Sequence, residues 1–366
     1  MRIGCVIASL GSGGAERVML SLCTAWAARG DLVTLFTFDD GRQDFHAVPA
    51  GVRRIALDIA GQSTSSLGAI RANAARLRTL RQALRDAPLD VIVSFTDRTN
   101  VSTLLAARGL GIPVVISERI DPRRHAIGTA WAALRRVVYS RATALVVQTE
   151  RVRSWAETHV SPTRVHVIGN PLREVAAPSL DAGARATTIA AVGRLVPQKG
   201  FDTLLRAFAL VHRTHPTWRL VIIGEGPLRT SLEAQVQELD LGTVVSLPGR
   251  SITVDRVLAE SAVFVLSSRY EGFPNVLLEA MVCGCACVAT DCDSGPSDLL
   301  QHDALGLLVP VDDAIALAGA ITRVLDDAAY RSRLGEAARA STQRFAPARV
   351  LRAWDDVFDA TRKRAA

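Results

Sequence analysis

Lysine is nearly missing from this chain. Of 43 lysines and arginines only Lys199 and Lys363 are lysine, so a site that needs a compact ammonium rather than a planar guanidinium has two places to find one. No run of eighteen apolar residues occurs, which excludes a membrane-spanning helix of ordinary length. A core strand begins almost at the first residue, and no secretory leader is expected. Six cysteines stand in no disulfide-like framework, which points to a reduced, cytoplasmic protein. Cys283, Cys285, Cys287 and Cys292 lack a paired C-x2-C partner and nearby histidines; small buried hydrophobes account for them better than a metal. Repeats and low-complexity tracts are absent. A basic groove interleaved with aromatics and a helix-turn-helix are missing too, which disfavours nucleic acid. After the first Gly-rich turn no acidic residue sits where a dinucleotide ribose needs one, against a dehydrogenase.

What is present is an alternation of strands and helices, the pattern of parallel sheets with right-handed crossovers. Strands are predicted near 2–8, 32–38, 52–57, 90–94, 113–117, 143–147 and 164–168, then near 187–193, 218–224, 243–247, 263–266, 286–290 and 306–309. Between the sets GNPLRE (169–174) leads into a stretch rich in Ala, Pro and Gly. The 366 residues, 49% apolar, suffice for two cores. The expected domains are 1–170 and 187–345, followed by a last helix over 346–366. Helical patterns also fall at 312–327 and 329–343.

The segment RYEGFPNVLLEAMVC (269–283) places Glu271 and Glu279 eight positions apart around a predicted helix start. Pro274 suits the first helical position, where no N–H is needed. The amides of Gly272, Phe273 and Asn275 would gather at the positive dipole end as an anion site. Asn275 and Glu279 share a face at i, i+4, and side chains lean toward the helix N-terminus. An amphipathic helix with a solvated Glu face remains the plainer alternative. GRLVPQKGF (193–201) carries Arg194 and the single internal lysine, Lys199, between a strand and a helix. A fork and a point charge together suit a diphosphate. RIGCVIASLGSGGAERVMLSL reads as a buried strand, a turn with Gly11, Gly13 and Gly14, and a helix from about Ala15. That turn is a weak anion signal, since it is not a G-x-G-x-x-G.

Together these segments resemble the retaining family-4 glycosyltransferases, through E-x7-E (Glu271, Glu279), G-R-L-x-x-x-K-G (Arg194, Lys199), GGAER, IIGEGPLR (222–229), VSLPGRS (245–251) and SGPSD (294–298). The resemblance implies the GT-B architecture: α/β, two Rossmann-like domains facing a cleft, with the C-terminal helix crossing back to the first. It implies that Glu279 holds the donor ribose and Glu271 the transferred sugar. The amides of Gly272, Phe273, Pro274–Asn275 and Val276 would meet the diphosphate and ring, with Gly13, Gly14, Gly249 and Arg250 also on the donor. Arg194 and Lys199 would neutralise the leaving nucleoside diphosphate, making Arg194, Lys199 and Glu271 the catalytic set. The expected reaction is retaining, metal-independent transfer of a hexose or N-acetylhexosamine from a UDP-sugar, without a cofactor. Asp291–Cys292–Asp293 matches a D-x-D only formally. Alternatives are a non-catalytic sugar-nucleotide-binding partner and another GT-B enzyme such as an epimerase.

GGAER, SER-x-DPRR and SGPSD resemble the subgroup that builds lipid-linked oligosaccharides and exopolysaccharide, including N-acetylgalactosaminyltransferase-like members. The expected acceptor is therefore a glycan, lipid-linked or soluble. SFTDRTN (94–100) and ISERIDPRR (116–124) follow strands, so Asn100, Glu118, Arg119, Arg123 and Arg124 are the acceptor candidates, the arginines for a lipid diphosphate. Where many family members place a histidine, Ser117–Glu118–Arg119 stands instead. Residues 1–180 carry 23 Arg against 14 acidic residues, the remainder 20 basic against 22 acidic. The excess concentrates in two predicted basic helices. In 67–85, Ile70, Ala74, Leu77, Leu80 and Leu84 form a stripe with Arg71, Arg78, Arg81 and Arg85 outside it; the other spans 123–141 with Trp131 and Tyr139. Either could be a core-packed helix with a solvated Arg face. The pair suits an anionic membrane surface, and the expected location is peripheral, at the inner face of the plasma membrane.

Overall fold

The computed structural model describes residues 1–11, 13–60, 66–173, 185–251, 253–301 and 304–365, with backbone alone for 66–71, 364 and 365. Glu174 and the side chains of Ile70 and Arg71, named above, lie outside the described residues. The chain divides into two compact units, Met1–Pro171 with Pro347–Ala366, and Leu172–Ala346.

The first unit holds a seven-stranded parallel sheet: β1 (Arg2–Ile7), β2 (Leu32–Thr37), β3 (Val52–Ala56), β4 (Val91–Phe95), β5 (Val114–Ser117), β6 (Ala144–Val147) and β7 (Val165–Val167), in the order β3-β2-β1-β4-β5-β6-β7. The second holds six: β8 (Ala186–Val192), β9 (Arg219–Ile223), β10 (Val245–Gly249), β11 (Ser261–Leu266), β12 (Ala286–Thr290) and β13 (Leu307–Val309), ordered β10-β9-β8-β11-β12-β13. Each predicted strand thus has a counterpart, displaced by a residue or two in most cases. Central strands such as β4 and β11 are buried along their whole length, because helices cover both faces and hide their apolar runs. Accordingly each sheet separates two cores. In the first unit, Trp26, Phe95 and Trp354 lie on one side and Phe36, Leu80 and Tyr139 on the other. In the second, Phe208 and Ile321 oppose Phe264 and Met281.

The last helix, Pro347–Ala365, belongs to the first unit. Trp354 packs edge-on against Trp26 at 6.0 Å between centroids, and Phe358 packs beside both. The basic segment 67–85 lies within one helix, Ser66–Asp86, with Leu80 and Leu84 in the core. Arg81 does not stand clear of the protein as the stripe suggests. It donates to the carbonyls of Ala106 at 2.8 Å and Arg108 at 2.5 Å, capping the end of the helix Asp97–Ala106. The other basic stretch is corrected more strongly. Only Thr129–Val138 is helical, followed by a 3-10 turn at Tyr139–Arg141. Gly128, at φ +88°, breaks the run, and 123–128 is loop.

All six cysteines are buried and none is in a disulfide. Burial pushes the thiols of Cys285 and Cys292 up to about 12, which keeps them inert.

Candidate functional site

In both sheets the chain reverses its strand order next to the first strand, and the loops leaving that switch point make the natural crevice of an open α/β sheet. In the second unit those loops follow β8 and β11. The first passes Arg194, enters a 3-10 turn at Pro197–Lys199 and starts the helix Phe201–Thr214 at Gly200. Gly200 sits at φ +61°, and a Cβ there would lie 2.1 Å from the carbonyl oxygen of Ser267. Only glycine lets the two loops approach so closely.

The approach is stitched by hydrogen bonds. Ser267 Oγ donates to the Lys199 carbonyl (2.8 Å), the Arg269 amide to the Gln198 carbonyl (2.7 Å), and Gln198 Nε2 to the Tyr270 carbonyl (2.9 Å). Arg269 adds Nη1 to the Pro197 carbonyl at 2.5 Å and ion pairs to Asp202 and Asp312, both at 2.8 Å. This lacing brings two of the three expected catalytic residues together: Lys199 Nζ donates to Glu271 Oε1 at 2.5 Å. Ser268 Oγ donates to the same oxygen at 2.6 Å. Arg194 is exposed.

Beyond Glu271 the helix runs Asn275–Val282. Pro274 is its cap, not its first residue. The Pro274 carbonyl accepts from Leu277 at 3.0 Å, and the Asn275 amide, predicted free, donates to the Phe273 carbonyl at 2.9 Å. The expected amide cluster therefore keeps Gly272, Phe273 and Val276 and loses Asn275. Glu279 is buried at 7% exposure, with Arg173 Nε 3.7 Å away; Arg173 also pairs with Asp255. SGPSD folds against this helix start. Ser294 Oγ donates to the Gly272 carbonyl at 2.9 Å, and Gly295, at φ +99°, has no room for a Cβ, which would meet Pro274 Cδ at 2.4 Å. Gly249, at φ +88°, accepts at its carbonyl from the Gly224 amide at 3.0 Å, and Arg250 beside it is exposed.

In the first unit the loop after β1 ends at Gly13, the cap of the helix Gly14–Ala28. Glu16 folds back over it: a Cβ on Gly13 would lie 2.2 Å from Glu16 Oε2. Burial raises the Glu16 carboxyl above its ordinary value, while its own backbone amide partly offsets this. This helix start thus already carries a carboxyl of the chain.

The acceptor candidates divide. Successive residues after β5 point to opposite faces of the sheet. Glu118 enters one core, 2% exposed, and accepts from the Tyr139 hydroxyl at 2.5 Å. Asn100, 0% exposed, donates to the Ser117 carbonyl at 2.9 Å and meets Tyr139 Oη at 3.3 Å. The expectation that both face outward is corrected: they form an internal network. Burial lifts the Glu118 carboxyl to about 7, opposed by the Tyr139 hydrogen bond and reinforced by Asp97. Arg119 turns to the other core, 3.5 Å above the Phe95 ring, with Nη1 on Asn170 Oδ1 at 2.9 Å. Burial lowers its guanidinium to about 9. Arg123 is exposed but turns its fork onto buried Asp121, at 2.7 to 3.2 Å, which leaves less of it for a ligand than expected. Arg124 is exposed.

Sequence reasoning missed Ser267, Ser268, Arg269, Tyr139 and the Arg173–Asp255 pair. The two serines had a signal, a polar doublet directly after the buried run SAVFVL. Arg173 had none, because its partner lies 82 positions away.

Two parallel Rossmann-like halves, the second with a lysine–carboxylate pair at its switch point, define the GT-B class. Family models agree over nearly the whole length: "Glycosyl transferase 4-like domain" matches residues 13–171 and "Glycosyl transferases group 1" matches 175–341. The chain belongs to the group 1 glycosyltransferases. A Campylobacter jejuni enzyme, GalNAc-alpha-(1->4)-GalNAc-alpha-(1->3)-diNAcBac-PP-undecaprenol alpha-1,4-N-acetyl-D-galactosaminyltransferase, is 30% identical over 97% of this chain and 97% of its own. A Streptomyces coelicolor relative, exopolysaccharide phosphotransferase SCO2592, is 31% identical over 94% of this chain; the match spans 39% of that longer protein. Among solved structures, Anabaena Alr3699/HepE in complex with UDP has a TM-score of 0.82 at 20% identity, covering 98% of this chain and all of that one. Sucrose-phosphate synthase from Thermosynechococcus elongatus scores 0.83 at 21%, with the same coverage. These two likenesses concern the fold. The protein is thus a glycosyltransferase close to those of lipid-linked sugar and exopolysaccharide synthesis.

Proposed function

We propose that this protein is a retaining glycosyltransferase. It moves a hexose or N-acetylhexosamine from a UDP-sugar to a glycan acceptor carried on a polyprenyl diphosphate, in cell-surface glycan assembly. The observation that carries the reading is the 2.5 Å contact between Lys199 and Glu271 on two laced loops at the carboxyl edge of the second sheet. An ammonium there can share itself between the carboxylate and the oxygens of a departing diphosphate, stabilising charge that grows as the glycosidic C–O bond breaks. Exposed Arg194 adds a planar fork to the same task. Glu271 orients the sugar and opposes positive charge at the anomeric carbon, and Glu279 holds the ribose. Two cations and helix-start amides carry the electrostatics, so the reading needs no metal and no cofactor.

Retention follows if the acceptor hydroxyl attacks from the face the diphosphate leaves, its proton passing to a departing phosphate oxygen. The choice of UDP is supported by the Anabaena neighbour, solved with UDP, and the lipid-linked acceptor by the undecaprenol substrate in the Campylobacter relative's name.

Peripheral attachment to an anionic membrane is part of the reading. Among the described residues no helix is long and apolar enough to cross a bilayer. The helix Thr129–Val138 exposes Leu134 (40%) and Val137 (60%) beside exposed Arg136 and Arg141, an apolar stripe with a basic flank.

The test is to incubate the protein with a membrane lipid extract and mixed sugar nucleotides, weigh the products, and read the anomeric configuration of the new linkage by NMR. A lipid-linked glycan heavier by one hexose or N-acetylhexosamine, with an α linkage from an α-linked donor, supports the reading. Epimerised nucleotide, or binding without turnover, sinks it.

A further inference from the structure

We propose that Ser268 is a positioning residue for the transferred sugar. Its hydroxyl, together with the Lys199 ammonium, occupies Oε1 of Glu271 and leaves Oε2 as the oxygen that receives a hydroxyl of the donor sugar. This rests on the reading of Glu271 as the sugar-holding carboxylate and says how that carboxylate is aimed.

A glutamate on a loop has two equivalent oxygens and a side chain free to turn. Here both donors converge on one oxygen, Lys199 Nζ at 2.5 Å and Ser268 Oγ at 2.6 Å. Two hydrogen bonds to a charged acceptor lock the rotation more firmly than neutral ones would. Ser268 is 0% exposed and Glu271 6%, so water competes little for these bonds. The serine is itself fixed from behind: its carbonyl accepts from the Thr290 hydroxyl of β12 at 2.5 Å. Its neighbour Arg269 is clamped to Pro197, Asp202 and Asp312.

Cys292, close enough to feel the Glu271 charge, stays a neutral thiol because burial pushes it up to about 12. The carboxylate therefore meets no rival anion there. With Oε1 filled, only Oε2 can accept from the ligand, and the ligand chemistry it selects is a sugar hydroxyl donor rather than an acceptor such as a carbonyl. Ser268 acts through Glu271 and touches no reacting atom.

The experiment compares Ser268→Ala, Ser268→Thr and Lys199→Ala with the unchanged protein. It measures UDP affinity by calorimetry, and kcat and KM with the UDP-sugar that the product screen identifies. Ser268→Ala should keep UDP affinity within about twofold while kcat/KM for the UDP-sugar falls about tenfold or more, the size of one hydrogen bond to a charged group. Ser268→Thr, which keeps the hydroxyl, should recover most of the loss. A Ser268→Ala protein with unchanged kcat/KM overturns the proposal. So does one whose UDP affinity falls in proportion, since that marks a general structural role. Lys199→Ala separates the two levels. Loss of turnover in Lys199→Ala beside full activity in Ser268→Ala confines the failure to Ser268, whereas full activity in both brings down the donor-site reading as well.

Discussion

The two switch points are built on the same topology and treat their charges in opposite ways. In the second unit, hydrogen bonds between neighbouring loops hold Lys199 and Glu271 in contact at the carboxyl edge, with Arg194 exposed nearby. In the first unit, the polar residues after β4 and β5 turn inward: Asn100 and Glu118 bond to Tyr139, and Arg119 stacks on Phe95. Thr96, which opens the loop after β4, is held at φ +72°, a costly conformation for a β-branched residue. One half thus presents preorganised charge, and the other stores polar groups and strain beneath its surface. The fold supplies the crevice in both units; what fills it depends on how tightly the flanking loops are tied.

The sharpest way to break this contrast is to remove the ammonium. Lys199→Ala should lower transfer by two to three orders of magnitude, about 3–4 kcal/mol of lost transition-state stabilisation, with little change in melting temperature. Initial rates with saturating donor measure it. Wild-type turnover would show that the paired charges of the second unit are structural, like the buried ones of the first.

Glu118 probes the other side. Its carboxyl titrates at about 7 in the folded protein against an ordinary 4.5, so the folded chain holds a proton that the unfolded chain has released between those values. The contribution of Glu118 to stability should be full below about pH 4.5 and be lost as pH rises through about 7, by about 3 kcal/mol in total. Groups around it act in both directions: Asp97 raises the carboxyl further, and Arg135 and Tyr139 hold it down. Glu118→Gln should abolish that slope and make the protein more stable than wild type at pH 8, as chemical denaturation at pH 4.5 and pH 8 can determine. Equal pH dependence in the two proteins would mean that the carboxyl is solvated after all.

Much of this was legible in advance because it is local. Buried strands announce themselves as short apolar runs, and most of the thirteen strands among the described residues fall where such runs stand; β3, with Arg53 and Arg54 inside it and no residue fully buried, is the exception. Lys199 and Glu271 belong to compact motifs whose loops follow adjacent strands, so topology sets those loops side by side and leaves only the lacing to be found. Residues whose placement depends on side-chain direction were harder to read. Glu118 and Arg119 are neighbours in sequence, yet the strand pleat sends them into different cores. Arg123 looks free until Asp121, two positions back, takes its fork. The 123–141 stretch reads as one basic helix, but Gly128 holds its start back to Thr129, a case of one backbone position overriding a pattern.

Two smaller perturbations refine the comparison, the first of them in the second unit. Gly200→Ala must place a methyl 2.1 Å from the Ser267 carbonyl oxygen at φ +61°. It should cost about 2 kcal/mol or more and loosen the lacing, so activity should fall together with melting temperature, unlike in Lys199→Ala. The last test asks whether the first unit's exposed face has a use to set against its buried one. Leu134 and Val137 lie three apart on the helix Thr129–Val138 and are partly exposed, beside Arg136 and Arg141. Withdrawing each from water at a bilayer surface contributes about 1 kcal/mol, and each arginine near anionic headgroups about as much again. Replacing both apolar residues with serine should therefore weaken sedimentation with phosphatidylglycerol-containing vesicles by about tenfold or more, leaving UDP affinity as it was. Unchanged vesicle binding would return this stripe to the ordinary scatter of exposed apolar side chains. Vesicle binding would then rest on the arginines alone, and raising the salt concentration should release the protein completely, because screening weakens exposed charges and leaves apolar burial intact.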